Sequence, residues 1–527
     1  MDNIKLNIFS LQILKRATIL FIFAMLSSCI NELNIILKDQ KSSGAQADPI
    51  YLVSSLDMNQ NEAGSLGLAV DWTRKIAYIG DADGKECIHV IDFSDENGPE
   101  YVFKLYDDSY TGILEAHERK LPNIGSVVNR CRNLKLIDNA SKLVVSSNNG
   151  PSLLSVWDLG SNPLAYDTTP WSLIAEDTPN AYARLISDVK LSGNTLEVFL
   201  TTLEGWQHYE ISDITIPGAV LNPITSLGSI NTANAAAFVK ETYVLTKQYS
   251  GNQNIQIWDI GSGSFIDTLI DDSGTGTNTW STDSTSSGDK LVFGGKTLTF
   301  IDASASPGLA PSISARYSGP SGTYRSIKMI EDGSDDLLFA FSNTNYLDVW
   351  NLNNINDPYL QSRTYISKLA DKGPGEGYGI EVDPVSRRAL LVSTNGRVAI
   401  VDIDELETTQ EQPAYIPTLT IDPPVTVILG TTVDVTLTLD KPTNVAVEVN
   451  YTTQDGTATD GVDYTGSNGT ITFSPGETSK TISVPILPGG TYFKSFTFEA
   501  SQPSGLTSPN LIILNESTII LIGAGTA

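Results

Sequence analysis

Two residue types that build most metal and catalytic centres are scarce in this 527-residue chain, which has three histidines and three cysteines. Three histidines leave no room for a His-rich metal site or for several histidine-based triads. Basic residues are also short: 33 Lys and Arg stand against 61 Asp and Glu, a formal net charge of −28. A nucleic-acid partner requires a basic face that displaces counterions, so DNA and RNA are disfavoured as partners. The same charge disfavours sustained contact between the protein surface and anionic lipid. No Gly-x-Ser-x-Gly elbow is present. The turn Gly373-Pro374-Gly375-Glu376-Gly377 lacks the lysine and the helix of a phosphate loop.

What the chain does have is a phrase that returns seven times, an apolar strand ending in an acidic or amide residue. It ends at Asp92, Asp158, Glu210, Asp259, Asp302, Asn351 and Asp402. The steps between those residues are 66, 52, 49, 43, 49 and 51. Short strands at this period are the signature of a β-propeller with one repeat per blade. Blade 7 shows no outer strand after Asp402, while the strand-like segment Ile50 to Leu56 precedes blade 1. One missing strand and one spare predict seven blades closed by the two chain ends, which leaves no open sheet edge. Val156-Trp157-Asp158, Ile257-Trp258-Asp259 and Val349-Trp350-Asn351 resemble the WD-repeat family, without its Gly-His dipeptide. The tryptophans are expected to pack between blades, and the terminal carboxylates to close turns.

The chain begins with Lys5, Lys15 and Arg16 ahead of an apolar run, Ala17 to Met25, that is too short to span a bilayer. Leu26-Ser27-Ser28-Cys29 follows and resembles the bacterial lipobox. The resemblance implies a signal peptide over 1–28, lipidation at Cys29 and a tether over 29–48. Cys87 and Cys131 then remain, each at the start of a strand and both on one face. In an oxidising envelope either a disulfide joins them or both are free buried thiols.

Beyond a linker at 405–417 the composition turns to Thr, Val and Gly. Asp455-Gly456-Thr457-Ala458, Gly461-Val462-Asp463-Tyr464, Gly469 to Glu477 and Lys480 to Ile486 recur in an order that resembles the Calx-beta domain. That resemblance implies an immunoglobulin-like β-sandwich over 418–527. The expected fold is therefore all-β, a seven-bladed β-propeller over 49–404 followed by this sandwich. Calcium-binding members gather carboxylates at one end, because the ion takes six to eight oxygens. Asp455 matches one ligand position in this chain. The other acidic clusters are replaced by Leu487-Pro488-Gly489-Gly490 and Gly523-Ala524-Gly525. No cofactor is expected; calcium at Asp455 is the alternative, disfavoured by the missing ligands, and Asp460 and Asp463 read as turn residues.

The starts of the inner strands should line the mouth of the central channel. They carry Arg132, Arg184, Asn234, Trp280, Tyr324, Arg325 and Tyr378. Arginines beside aromatics suit an acidic or sugar ligand, held by hydrogen bonds and stacking. His117 lies in the longest insertion, Tyr106 to Val127, which should project over one face. The expected role is a non-catalytic binding or adhesion scaffold in the cell envelope, on the outer membrane or cell surface. Its partner would be an envelope or extracellular protein or glycan, and the membrane would be reached through the lipid anchor. The alternative class is a propeller hydrolase or lyase with an Asp/Glu acid–base pair at the channel mouth.

Overall fold

The computed structural model describes residues 49–58, 65–81, 86–106, 114, 116–121, 131–147, 154–177, 183–202, 205–226, 233–239, 243–248, 254–262, 264–269, 279–304, 311–318, 322–369, 376–409, 412–413, 415–422, 425–503, 511–513 and 517–523. The expected signal peptide, the tether and Cys29 lie outside them. Among the described residues the helices are two single 3₁₀ turns, Ser367–Leu369 and Ile403–Glu405, and everything else regular is strand.

Seven sheets follow in chain order, each built on an antiparallel run of four strands. Their first strands are Ser65–Asp71, Cys131–Ile137, Ala183–Ser192, Ala233–Val239, Ser281–Ser284, Tyr324–Asp332 and Gly377–Asp383. Each of these inner strands neighbours the next, and Gly377–Asp383 returns to neighbour Ser65–Asp71, so their order is a closed cycle. The seventh sheet takes its outermost strand from the other end of the chain, Leu52–Asp57 on Arg397–Asp402.

All seven recurring phrases are the third strands of these sheets. Six end in a side chain that closes a tight turn. Asp92 accepts from Ser94 N at 2.8 Å, Asp158 from Gly160 N at 2.9 Å and Asp259 from Ser262 N at 2.7 Å. Asp302, Asn351 and Asp402 accept from Ser304, Asn353 and Asp404 in the same way. A carboxylate or amide one carbon from the backbone has the reach for this ring. Glu210 is one carbon too long, and Asp213, accepting from Thr215 N at 2.9 Å, serves its sheet instead.

Tryptophans fill the gaps between sheets. Trp350 is fully buried, its ring 5.6 Å from Phe300 and 4.9 Å from Tyr317 of the preceding sheet. Trp157 packs among Tyr78, Val90 and Leu105 of the first sheet. Close approach elsewhere requires glycine: a Cβ on Gly377 would stand 2.3 Å from the Ser342 carbonyl oxygen of the sixth sheet.

The C-terminal sandwich has a four-stranded sheet, Ser479–Pro485, Thr432–Leu439, Thr418–Ile421 and Ile512–Ile513. Its partner has five strands: Val425–Val427, Ser517–Ile522, Lys494–Ser501, Val447–Asp455 and Asn468–Phe473. Strict alternation in Thr432–Leu439 and Ser517–Ile522 sends Val433, Val435, Leu437, Leu439, Ile520 and Ile522 into one shared core. The segment read as a linker is fastened along outer strands, through bridges from Thr408 to Ser362 and from Tyr415 to Tyr317. Lys441 Nζ then donates to the carbonyls of Ser314 and Asn356, tying the sandwich to the fifth and sixth sheets.

Candidate functional site

Each inner strand but one opens on a bulge, where two residues oppose one on the neighbouring strand. The pairing skips Leu66, Arg132, Arg184, Asn234, Arg325 and Tyr378. In the remaining sheet Trp280 N donates to Gly294 O at 2.8 Å, while Ser281 is already paired with Gly294. A bulge re-aims the extra side chain and bends its strand. The channel-mouth residues read from the sequence, Tyr324 excepted, are thus the extra residues at corresponding ends of the inner strands. The side chains of Arg132, Arg184 and Asn234 lie outside the described set.

Described residues of six inner strands, all but Ala233–Val239, line a cavity of about 90 Å³ whose open surface is mainly polar. Trp280, Arg325 and Tyr378 all line it. The Arg325 guanidinium lies over Trp280, its carbon 3.8 Å from the ring centroid and 5.9 Å from that of Tyr378. Its Nη2 donates to Glu376 Oε2 at 2.8 Å. A cation held on an aromatic face in this way is oriented before any ligand arrives.

Farther along the strands the wall carries Lys135, Asp283, Lys328 and Glu381. Lys328 and Glu381 pair at 3.3 Å, and the glutamate charge raises the lysine above its ordinary range. Asp283 accepts from the backbone N–H of Met329 at 2.7 Å and of Ser284 at 3.0 Å. Asp188 is exposed yet ringed by protein, and its desolvation raises the carboxyl above its usual range, with Asp283 adding to the rise. Four buried polar atoms of cavity-lining residues have no protein hydrogen-bond partner: Asn133 Oδ1, Ser187 Oγ, Ser281 Oγ and Arg325 Nε. Sequence reasoning missed the serines and the asparagine, because a polar residue in a strand reveals its face only once the bulge sets the register.

Two expectations are corrected. Tyr324 is not at the mouth. It is fully buried, and its hydroxyl donates at 2.5 Å to buried Asp348, which Arg363 holds with two bonds of 3.1 Å. The bulge at Arg325 separates the two neighbours, sending one into the cavity wall and the other into the sheet. His117 does not project over a face. It is exposed beside Glu118–Lys120, a short strand added in parallel to the outer edge of the first sheet, and its Nδ1 lies 3.0 Å from Val102 O. Cys131 is a buried free thiol. The Cys87 side chain lies outside the described set.

At one end of the sandwich the acidic residues are already spoken for. Asp455 Oδ1 accepts from the Tyr464 hydroxyl at 2.7 Å and from Asp460 N at 2.9 Å. Asp460 in turn accepts from Gly466 N at 2.5 Å. Asp463, read as a turn residue, has a side chain with no exposed surface. It binds Lys494 Nζ at 2.8 Å, Thr459 N at 3.0 Å and Thr491 N at 2.8 Å. The lysine ammonium and these donors hold its carboxyl down at about 2. Gly490 permits the closure, since a Cβ there would stand 2.9 Å from Asp463 Cα. Among the described residues no three His, Cys, Asp or Glu side chains gather as a metal site. Calcium wants six to eight oxygens with excess negative charge, and this donor set does not fit it.

The Calx-beta domain family matches residues 423–523. No curated protein matches the chain. Among solved structures, the apo form of the Calx CBD1 domain is 21% identical, over 20% of this chain and 98% of that one, with a TM-score of 0.17. The calcium binding domain CBD12 of CALX1.1 is 23% identical, over 20% of this chain and 44% of that one, at 0.18. Sqt1 from Chaetomium thermophilum is 11% identical, over 67% of this chain and 98% of that one, at 0.43, too low a score to carry an argument about fold. By the family match, residues 423–523 form a Calx-beta domain.

Proposed function

We propose that the protein is an exported, lipid-anchored, non-catalytic scaffold that binds an envelope or extracellular protein or glycan at the mouth of a seven-bladed β-propeller. One observation carries the reading: seven inner strands stand in cyclic order, described residues of six of them line one polar cavity, and the bulge residues lie at corresponding strand ends. The cyclic order supports the propeller, and the strand donated by Leu52–Asp57 supports closure by both chain ends. The lipobox-like Leu26-Ser27-Ser28-Cys29 supports the anchor and a place on the outer membrane or cell surface. The Calx-beta domain serves as spacer or second adhesive module, fastened by Lys441 and Tyr415.

Affinity capture from envelope extract and spent medium, with residues 47–527 as bait, tests this. A stoichiometric partner that is lost when Arg132, Arg184 and Arg325 are replaced together is the expected result. An empty capture counts against it. Release of the full chain from membranes by Cys29→Ala checks the anchor. A hydrolase or lyase is the competing reading, favoured by the raised carboxyl of Asp188, an acid closer to working pH. Turnover abolished by Asp188→Asn would establish that class instead.

A further inference from the structure

The scaffold reading leaves the ligand of the mouth unspecified, and the balance of satisfied and unsatisfied groups in the cavity wall narrows it. Lys328 and Glu381 satisfy each other, and Asp283 is held by two backbone donors. Beside Lys135 farther along the wall, what remains at the mouth is the buried donor Arg325 Nε, with two hydroxyls, Ser187 and Ser281, and one amide acceptor, Asn133 Oδ1. Ser281 is more than nine-tenths buried, so its hydroxyl is desolvated at a cost that no protein partner offsets. A polar space of this size has room for water, since a single molecule needs roughly 10–15 Å³.

Resting on the binding reading above, we propose that the mouth takes the terminal residue of an acidic saccharide. Its carboxylate would lie on Arg325, and its hydroxyls would replace water at Asn133, Ser281 and Ser187. Hydroxyl groups donate and accept, which suits a wall offering both kinds of site. A carboxylate suits a guanidinium already held over Trp280, with Nη2 on Glu376 and Nε unpaired. Arginine stands at three of the bulge positions, 132, 184 and 325, in a chain whose net charge is −28. The carboxylates of Asp283 and Glu381 farther along the wall keep that anion at the mouth.

Calorimetry on the full chain tests the assignment, using trisaccharides that end in galacturonate, glucuronate or sialic acid, each beside its neutral counterpart. At least one acidic sugar should bind about tenfold or more tightly than its neutral partner. Arg325→Gln should erase that preference. Ser281→Ala should weaken binding by roughly threefold to tenfold at an unchanged melting temperature. Binding by none of the acidic sugars, equal binding of acidic and neutral forms, or indifference to Arg325→Gln would overturn the proposal. If no acidic sugar binds while a captured protein still depends on Arg325, the saccharide falls and the binding reading stands. If no ligand of any class depends on Arg325, both fall.

Discussion

The cavity mouth and the loop end of the Calx-beta domain each gather charge, and they treat it in opposite ways. At the loop end Asp463 has three protein donors and Asp455 two on one oxygen, so the buried carboxylate is fully spent inside the fold. At the mouth Arg325 has Glu376 on one nitrogen and nothing from the protein on Nε. Charge that is satisfied internally stabilises a fold. Charge held in place but left partly unsatisfied is available to a ligand, at a cost in stability.

The largest effect that would break this contrast is at Lys494. Replacing it by Met strands the Asp463 carboxylate in a site with no exposed surface, and the melting temperature of the sandwich should fall by roughly 5 °C or more. An unchanged melt would mean that the ion pair is ornamental. Acid should do part of the same damage. The Asp463 carboxyl sits at about 2 in the fold against an ordinary value of 3.8. Its contribution is complete above the ordinary value and is lost as pH falls towards 2. The drop in melting temperature between pH 4 and pH 2 should therefore be shallower in Lys494→Met than in the native chain.

Effects at the mouth should be smaller on stability and larger on binding. Arg325→Gln removes a pair whose glutamate is nearly half exposed, worth about 0–1 kcal/mol, so thermal melts should barely move. A large loss would make Arg325 a structural residue. Ser281→Ala deletes a hydroxyl with no protein partner, and the melting temperature should hold or rise slightly. A clear fall would show that the hydroxyl is satisfied in solution. The smallest effect should come from calcium: millimolar calcium should leave the melt of the sandwich in place, and a marked upward shift would mean that Asp455 and Asp460 can be recruited after all.

The recurring strands were legible because each is a local matter. Alternation over five residues, followed by Asp or Asn closing a turn two or three residues on, needs nothing from the rest of the chain. Glu210 shows the limit, since one extra carbon moved the turn to Asp213. The Calx-beta resemblance was legible for the same reason, through turns such as Asp455-Gly456 and their order. Residues at the inner-strand starts were found by position, yet Tyr324 and Arg325 were assigned one role although they face opposite ways. A bulge changes direction within a single residue, and no periodicity records it.

By itself, then, the sequence determined the β content, the sevenfold repeat, the acidic surface and the identity of residues 423–523, all of which rest on short-range pattern or composition. Tertiary structure alone decided that Arg325 lies on Trp280 from the preceding sheet, that Lys494 reaches Asp463 across 31 positions, and that Asn133 and Ser281 share one wall. Those contacts depend on how strands from different sheets approach one another. That approach is set by bulges, glycines and the packing of buried tryptophans, which act through the whole assembly rather than along the chain.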